Sequence, residues 1–188
     1  MHPKTLTIDQ TATLREAFST LKHPYPIAFD LMLEAGLRVA EVCSLCWLDV
    51  MHLGNVKECL TLDASAAKNG RERIIPITAR LSSRITQAWN GNAAGEPPVA
   101  AGYVAAARPH SKAVSPRSLE RNIKRLASET LGIDVNPHML RHTFATRLLR
   151  TSNLEIVRAA LGHKRVSTTQ IYVHTSIDDL AEAMKRAN

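Results

Sequence analysis

Apolar positions recur at helical spacing along most of the 188-residue chain, with one interval of a different period. Thr7 opens a T-x-x-Q capping box with Gln10, which predicts a helix from there to about Leu21. His23, Pro24 and Pro26 break it. A second helix carries Ile27 to Glu34 and is ended by Gly36, and a short third one runs through Val39 to Leu45. The period then changes. Val56–Leu62 and Arg73–Ile77 are rich in β-forming residues and flank Lys68-Asn69-Gly70, where Asn-Gly is a strong hairpin-turn pair. A small antiparallel sheet is expected here, with a first strand near Trp47–Val50.

Helical spacing resumes over Leu81–Trp89. From Gly91 to about Ser115 the chain is rich in Ala, Gly and Pro and reads as a long loop with at most one short element. Ser115-Pro116 joins an N-cap to a proline at the first helical position, and the helix that follows carries Arg117, Arg121, Lys124 and Arg125. Pro137 opens a helix from His138 to about Arg150. Ser152 and Glu155 form a capping box for the next, which stops at Gly162. Ser167 can cap a short helix through Tyr172, and Ser176 with Asp179 caps a last helix to the C-terminus. The expected fold class is α+β, a mainly helical domain with a small antiparallel β-sheet, read as one domain over residues 1–188.

Composition supports that class. Apolar residues make up 45% of the chain and aromatic residues 4%, so the core is built mainly from Leu, Ile, Val and Ala, which leans helical. Charge adds a partner. The 24 Lys and Arg against 17 Asp and Glu give a net charge of +7 and a pI near 9.7, which favours a polyanion. No apolar run reaches the length of a membrane span, and MHPKTLTIDQ lacks a signal-peptide core, so a cytoplasmic location is expected. Three cysteines, Cys43, Cys46 and Cys59, make an odd count that argues against a disulfide framework. The Cys43/Cys46 CxxC has no second pair and reads as two small apolar residues on a helix.

Three segments carry candidate chemistry. In His138-Met139-Leu140-Arg141-His142 the polar residues fall at i, i+3 and i+4, on one face of a helix's first turn, where free N–H groups and the helix dipole favour an anion. Arg141 can fork onto two phosphate oxygens. Leu140, Phe144 and Leu148 form a separate apolar stripe for the core. His138 and His142 could be half a zinc site, but the HExxH pattern needs Glu where Met139 stands. Arg38, after Gly36 and three residues before Glu41, reads by itself as half of an ordinary ion pair. His163 follows Gly162 and precedes Tyr172 by nine residues.

Taken in order, "AGLRVAE", a Lys at a hairpin turn, "HMLRHTFATRLL" and "LGHKRVSTTQIY" followed by a short C-terminal helix resemble the tyrosine recombinase, or phage integrase, family from about Leu6 to Lys185. The resemblance implies an enzyme that cuts and rejoins double-stranded DNA through a 3′-phosphotyrosine at Tyr172. It implies Arg38 and Arg141 as the catalytic arginines, Lys68 as the hairpin lysine, and His138 and His163 as the active-site histidines. Glu41 and His142 match supporting positions. For the hairpin lysine, Lys57, Arg71 and Arg73 lie close to Lys68 and share its candidacy; the Asn69-Gly70 turn favours Lys68. No metal or organic cofactor is implied. Lys112, Arg117, Arg121, Lys124 and Arg125 are candidate phosphate contacts outside the site.

The family's N-terminal core-binding domain is expected to be absent, since only a few residues precede the first helix. The stripe Ile177, Leu180, Ala181, Met184 and Ala187 on the last helix either packs on its own domain or docks into a neighbouring subunit, as a homo-oligomer (tetramer) on DNA would require. Two other readings stand beside recombination: a type IB topoisomerase-like nicking-closing enzyme and a non-catalytic DNA-binding regulator.

Overall fold

The structure, a computed structural model, describes residues 5–62, 72–91, 103–106, 111–162 and 177–187. Helix α1 (Ile8–Ser19) starts as expected: Thr7 Oγ1 accepts from the Gln10 N–H at 3.1 Å, and Gln10 Oε1 accepts from the Thr7 N–H at 3.0 Å. Its Phe18 stacks on Phe29, with ring centroids 4.3 Å apart. Phe29 belongs to α2 (Tyr25–Glu34), whose residues from Ile27 to Glu34 are all buried. A helix surrounded on every side must stand at the centre of the domain, and α2 packs against α1, α5 (Ala79–Gly91) and α7 (Pro137–Thr151). Burial extends to its two acids. Asp30 is held by Arg15 at 3.1 Å and Arg84 at 2.6 Å, and Glu34 by Arg15.

The chain leaves α2 through Gly36 at φ +63, then forms α3 (Val39–Ser44). The Phe144 ring lies where a side chain would begin: an ideal Cβ on Gly36 would sit 2.4 Å from Phe144 Cδ1. Glycine is required by both the backbone angle and the close approach.

Residues Trp47–Val50 form one helical turn, α4, and not the strand expected from their β-rich composition. The Cys46 N–H donates to Asp49 Oδ2 at 2.7 Å, an N-terminal cap, and Trp47 and Val50 go into the core together at i, i+3 spacing. The expected Val56–Leu62 strand is also divided. Met51–His52 (β1) pairs antiparallel with Asn55–Val56 (β2) around Leu53-Gly54, both at positive φ. Cys59–Leu62 (β3) then pairs antiparallel with Arg73–Pro76 (β4), in a register that sets Cys59 opposite Pro76 and Leu62 opposite Arg73. Among the described residues the β content is therefore two separate two-stranded sheets. The Lys68-Asn69-Gly70 turn lies outside the described residues.

Helix α5 (Ala79–Gly91) follows β4, and α6 (Pro116–Leu131) starts at Ser115, whose Oγ accepts from the Ser118 N–H at 3.2 Å. Between them Tyr103 bridges to Cys46 and Ala106 to Ala113, with Val104 and Ala105 buried. Helix α7 (Pro137–Thr151) is capped by Asn136. Leu140, Phe144 and Leu148 are buried as the stripe requires. The cap of α8 (Leu154–Leu161) is Asn153, one residue beyond the expected Ser152, whose hydroxyl instead donates to the Leu148 carbonyl. Gly162 ends α8 at φ +63.

Ser167, Tyr172 and the Ser176 cap lie outside the described residues. Helix α9 (Ile177–Ala187) packs on α7, β4 and α8, and Leu180, Ala183 and Met184 are buried in this chain's own core. No helix among the described residues is long and apolar enough to cross a membrane.

Candidate active site

The site is assembled around one carboxylate. Glu41 sits in the first turn of α3 with 1% of its surface exposed. Its Oε2 accepts from the Arg38 N–H at 2.7 Å, which satisfies a free amide at the helix start. The Arg38 guanidinium donates to Oε1 at 2.8 Å. Arg73, at the head of β4, closes on the same carboxylate as a fork, Nη1 to Oε1 at 2.9 Å and Nη2 to Oε2 at 2.7 Å. Arg141, from the first turns of α7, stands 3.9 Å from Oε2. Burial alone would raise the Glu41 pKa. The hydrogen bonds from Arg73 and Arg38 outweigh it and hold the carboxyl below its usual range.

Arg141 is buried yet makes its hydrogen bonds to backbone. Nη1 donates to the Gly36 carbonyl, and Nη2 to the Leu161 carbonyl at 2.5 Å. These carbonyls lie at the C-terminal ends of α2 and α8, where helix dipoles turn their negative poles outward. Burial lowers the Arg141 pKa, the Arg38 charge lowers it further, and Glu41 opposes both.

Arg38 and Arg141 open onto a cleft of about 880 Å³ that is also lined by His138, Asn136, Arg117, Arg121 and Lys124, with Glu120 and Asp134 among the acids. The expected Arg38, Arg141 and His138 thus line one cleft, and Glu41 is buried against Arg38 without lining it. His142 is half-buried and not on the cleft wall. Of the candidate phosphate contacts, Arg117, Arg121 and Lys124 line the cleft from α6, with Lys124 3.3 Å from Asp134. Arg125 pairs with Glu129 at 2.8 Å, and it and Lys112 are exposed but do not line the cleft. Lys68, His163 and Tyr172 lie outside the described residues.

The residue that sequence reasoning underrated is Arg73. In the sequence it stands only as an alternative to Lys68 for the hairpin cation. Its full burial on Glu41 shows it to be part of the framework.

No group of three or more His, Cys, Asp or Glu that could hold a metal ion occurs among the described residues, His138 and His142 included. The Cys43 thiol is pushed up by burial to about 11, and Cys46 is raised by burial and by Asp49, so neither is poised as a reactive thiolate.

Fold and cleft together define a class, the catalytic domain of tyrosine recombinases. A crystal structure of XerA recombinase superposes with a TM-score of 0.73 at 25% identity, over 99% of this chain and 65% of that one. The lambda integrase catalytic core matches at a TM-score of 0.66 and 18% identity, over 88% of this chain and 95% of its own. Lambda integrase (residues 75–356) bound to DNA matches at 0.65 and 20%, over 95% of this chain and 60% of that one. The chain belongs to the phage integrase family, whose model matches residues 4–178. Tyrosine recombinase XerA of Pyrococcus furiosus is 33% identical over 187 residues, 99% of this chain and 62% of the relative. The chain thus spans about three-fifths of the length of the curated relatives it matches.

Proposed function

We propose that this chain cuts and rejoins double-stranded DNA as the catalytic part of a site-specific recombinase, through a covalent 3′-phosphotyrosine at Tyr172. The observation that carries this reading is the pairing of Arg38 and Arg141 at the mouth of one cleft. Arg38 is held from behind by Glu41, and Arg141 by the Gly36 and Leu161 carbonyls, and both side chains line the cleft where a phosphate would sit. Names point the same way: the relatives are called tyrosine recombinases, and lambda integrase has been crystallised on DNA.

The chemistry follows from the charges. As the Tyr172 phenol oxygen bonds to phosphorus, negative charge grows on the two non-bridging oxygens, and Arg38 and Arg141 stabilise it. His163, from the family pattern, adds a hydrogen bond. The bond to the 5′ oxygen breaks, and Lys68 gives that oxygen its proton; His138 assists transfer of the phenolic proton. The phosphotyrosine keeps the bond energy, so a second 5′ hydroxyl can reverse the step without ATP. Arg117, Arg121 and Lys124 then lie along the path of the flanking phosphates. Assembly as a tetramer on DNA belongs to the same reading, with the Leu180–Met184 stripe of α9 packed on this chain's own core.

A suicide substrate tests it. Wild-type protein incubated with nicked duplexes of randomised core should form an SDS-stable adduct, and Tyr172→Phe, which removes one oxygen, should form none while binding DNA as before. An adduct that persists in Tyr172→Phe places the nucleophile elsewhere.

A further inference from the structure

Arg73 is out of proportion to any task of neutralising Glu41. Arg38 alone supplies that carboxylate with a backbone N–H at 2.7 Å and a guanidinium at 2.8 Å. The structure adds a second guanidinium, 5% exposed, and places a third within 3.9 Å. Burying like charges together costs free energy unless something offsets it. One carboxylate leaves three guanidiniums with a surplus of two positive charges. Arg73 is buried and does not line the cleft.

Its contacts run elsewhere. Both ends of its fork are taken by Glu41. Its aliphatic stem lies against Gly162, where an added Cβ would sit 3.1 Å from Arg73 Cδ and 3.3 Å from Nη1. Gly162 is the residue before His163, and its φ of +63 directs the chain out of α8. Arg73 also begins β4, five residues after Lys68 in sequence. One side chain therefore connects β4, the carboxylate that also holds Arg38, and the Gly162 turn at the end of α8.

We propose that Arg73 is a positioning residue for DNA cleavage, holding Glu41 from outside the cleft so that Arg38 and Arg141 present their free N–H groups to one phosphate, and seating the Gly162 turn that leads to His163. It acts through Glu41 and Gly162 and never meets the DNA. The inference rests on the recombinase reading above for its reaction, though not for its geometry. Fork geometry is the essential property. A lysine would keep the charge but could reach only one carboxylate oxygen at a time. Loss of the fork also removes the strongest influence holding the Glu41 proton affinity down, so Glu41 would take up a proton closer to neutral pH.

The test uses the full chain, Arg73→Lys and Arg73→Gln, with nicked duplexes of randomised core as the probe. Adduct formation is timed in single turnover between about pH 5 and pH 9, alongside DNA dissociation constants, melting temperatures and the guanidinium NMR signals of Arg38 and Arg141. Arg73→Lys should fold, slow cleavage by about 10²-fold as expected for a small misplacement of catalytic groups, and change DNA affinity less than about threefold. The acid limb of its rate profile should move towards neutral pH, and the Arg38 and Arg141 signals should lose their dispersion. Arg73→Gln should be slower still. An unaltered rate and unaltered guanidinium signals in Arg73→Lys overturn the proposal. Equal losses of affinity and rate overturn it too, by making Arg73 a DNA anchor. So does a rate that merely tracks the folded fraction with an unmoved pH profile. A wild-type chain that forms no adduct removes the recombinase reading instead, and Arg73 is then decided by the guanidinium signals alone.

Discussion

Glu34 and Glu41 stand seven residues apart, on either side of Gly36, and both are buried. Their surroundings differ in one respect. Glu41 has both oxygens occupied by Arg38 and Arg73, with Arg141 behind. Glu34 has Arg15 on Oε1 and no hydrogen-bond partner on Oε2. Burial pushes both pKa values up. At Glu41 the arginine hydrogen bonds reverse the shift, while at Glu34 the attraction of Arg15 does not, and the nearby Asp30 adds to the rise. Burial by itself therefore says little about a carboxylate's role; the number of donors it meets decides its charge. Glu41 is ionised framework at the cleft, and Glu34 is a partly satisfied acid that joins α1 to α2.

The largest effect should come from breaking the better-satisfied acid. Glu41→Gln leaves three guanidiniums around a neutral amide and should cost about 3–5 kcal/mol, read by urea unfolding at pH 7. A loss under about 1 kcal/mol would show that water replaces the carboxylate without cost, and the contrast with Glu34 would collapse. The residue between the acids comes next. Gly36→Ala must force a Cβ into the Phe144 ring at positive φ and should cost about 1–3 kcal/mol or more through overpacking. Little change there would mean that α7 can shift to accept a methyl group.

Glu34→Gln should have the smallest effect, within about 1 kcal/mol at pH 7, because Gln still offers Arg15 an acceptor and Arg15 keeps Asp30. Its value lies in the sign of its pH dependence. The folded pKa of Glu34 is raised, so its contribution is present below the unfolded value and is lost as pH rises through the folded one. The folded pKa of Glu41 is lowered, so its contribution is present above the unfolded value and is lost as pH falls through the folded one. Melting curves of the two Gln variants against wild type, from about pH 3 to pH 7, should thus diverge in opposite directions. Parallel curves would make the two acids electrostatically equivalent.

The chain announces its helices better than its sheet. The Thr7/Gln10 box and the Ser115-Pro116 start are local devices with local causes, and they stand where the sequence puts them. Trp47–Val50 reads as a strand because Trp and Val favour one, yet the cap from Asp49 and the burial of Trp47 with Val50 need a helical turn. Asn153 displaces Ser152 as a cap, and the Ser152 hydroxyl donates to the Leu148 carbonyl of α7 instead. At the site, Arg38, Glu41, His138 and Arg141 are legible as a family pattern. That Glu41 is shared among three arginines is a long-range fact: Arg73 is 32 residues from Glu41, and no periodicity relates the two.

Arg141 holds a further consequence. The carbonyls that receive its N–H groups belong to Gly36 and Leu161, and every amino acid at those positions would carry a carbonyl. No single codon change can delete either acceptor; it can only move the helix end that presents it. The hold on this arginine is thus written in the course of the main chain. Provided two helices stop where they stop now, descendants of this sequence can replace the Leu161 side chain and still keep its carbonyl in place, whereas Gly36 is fixed by its own backbone angle and by Phe144.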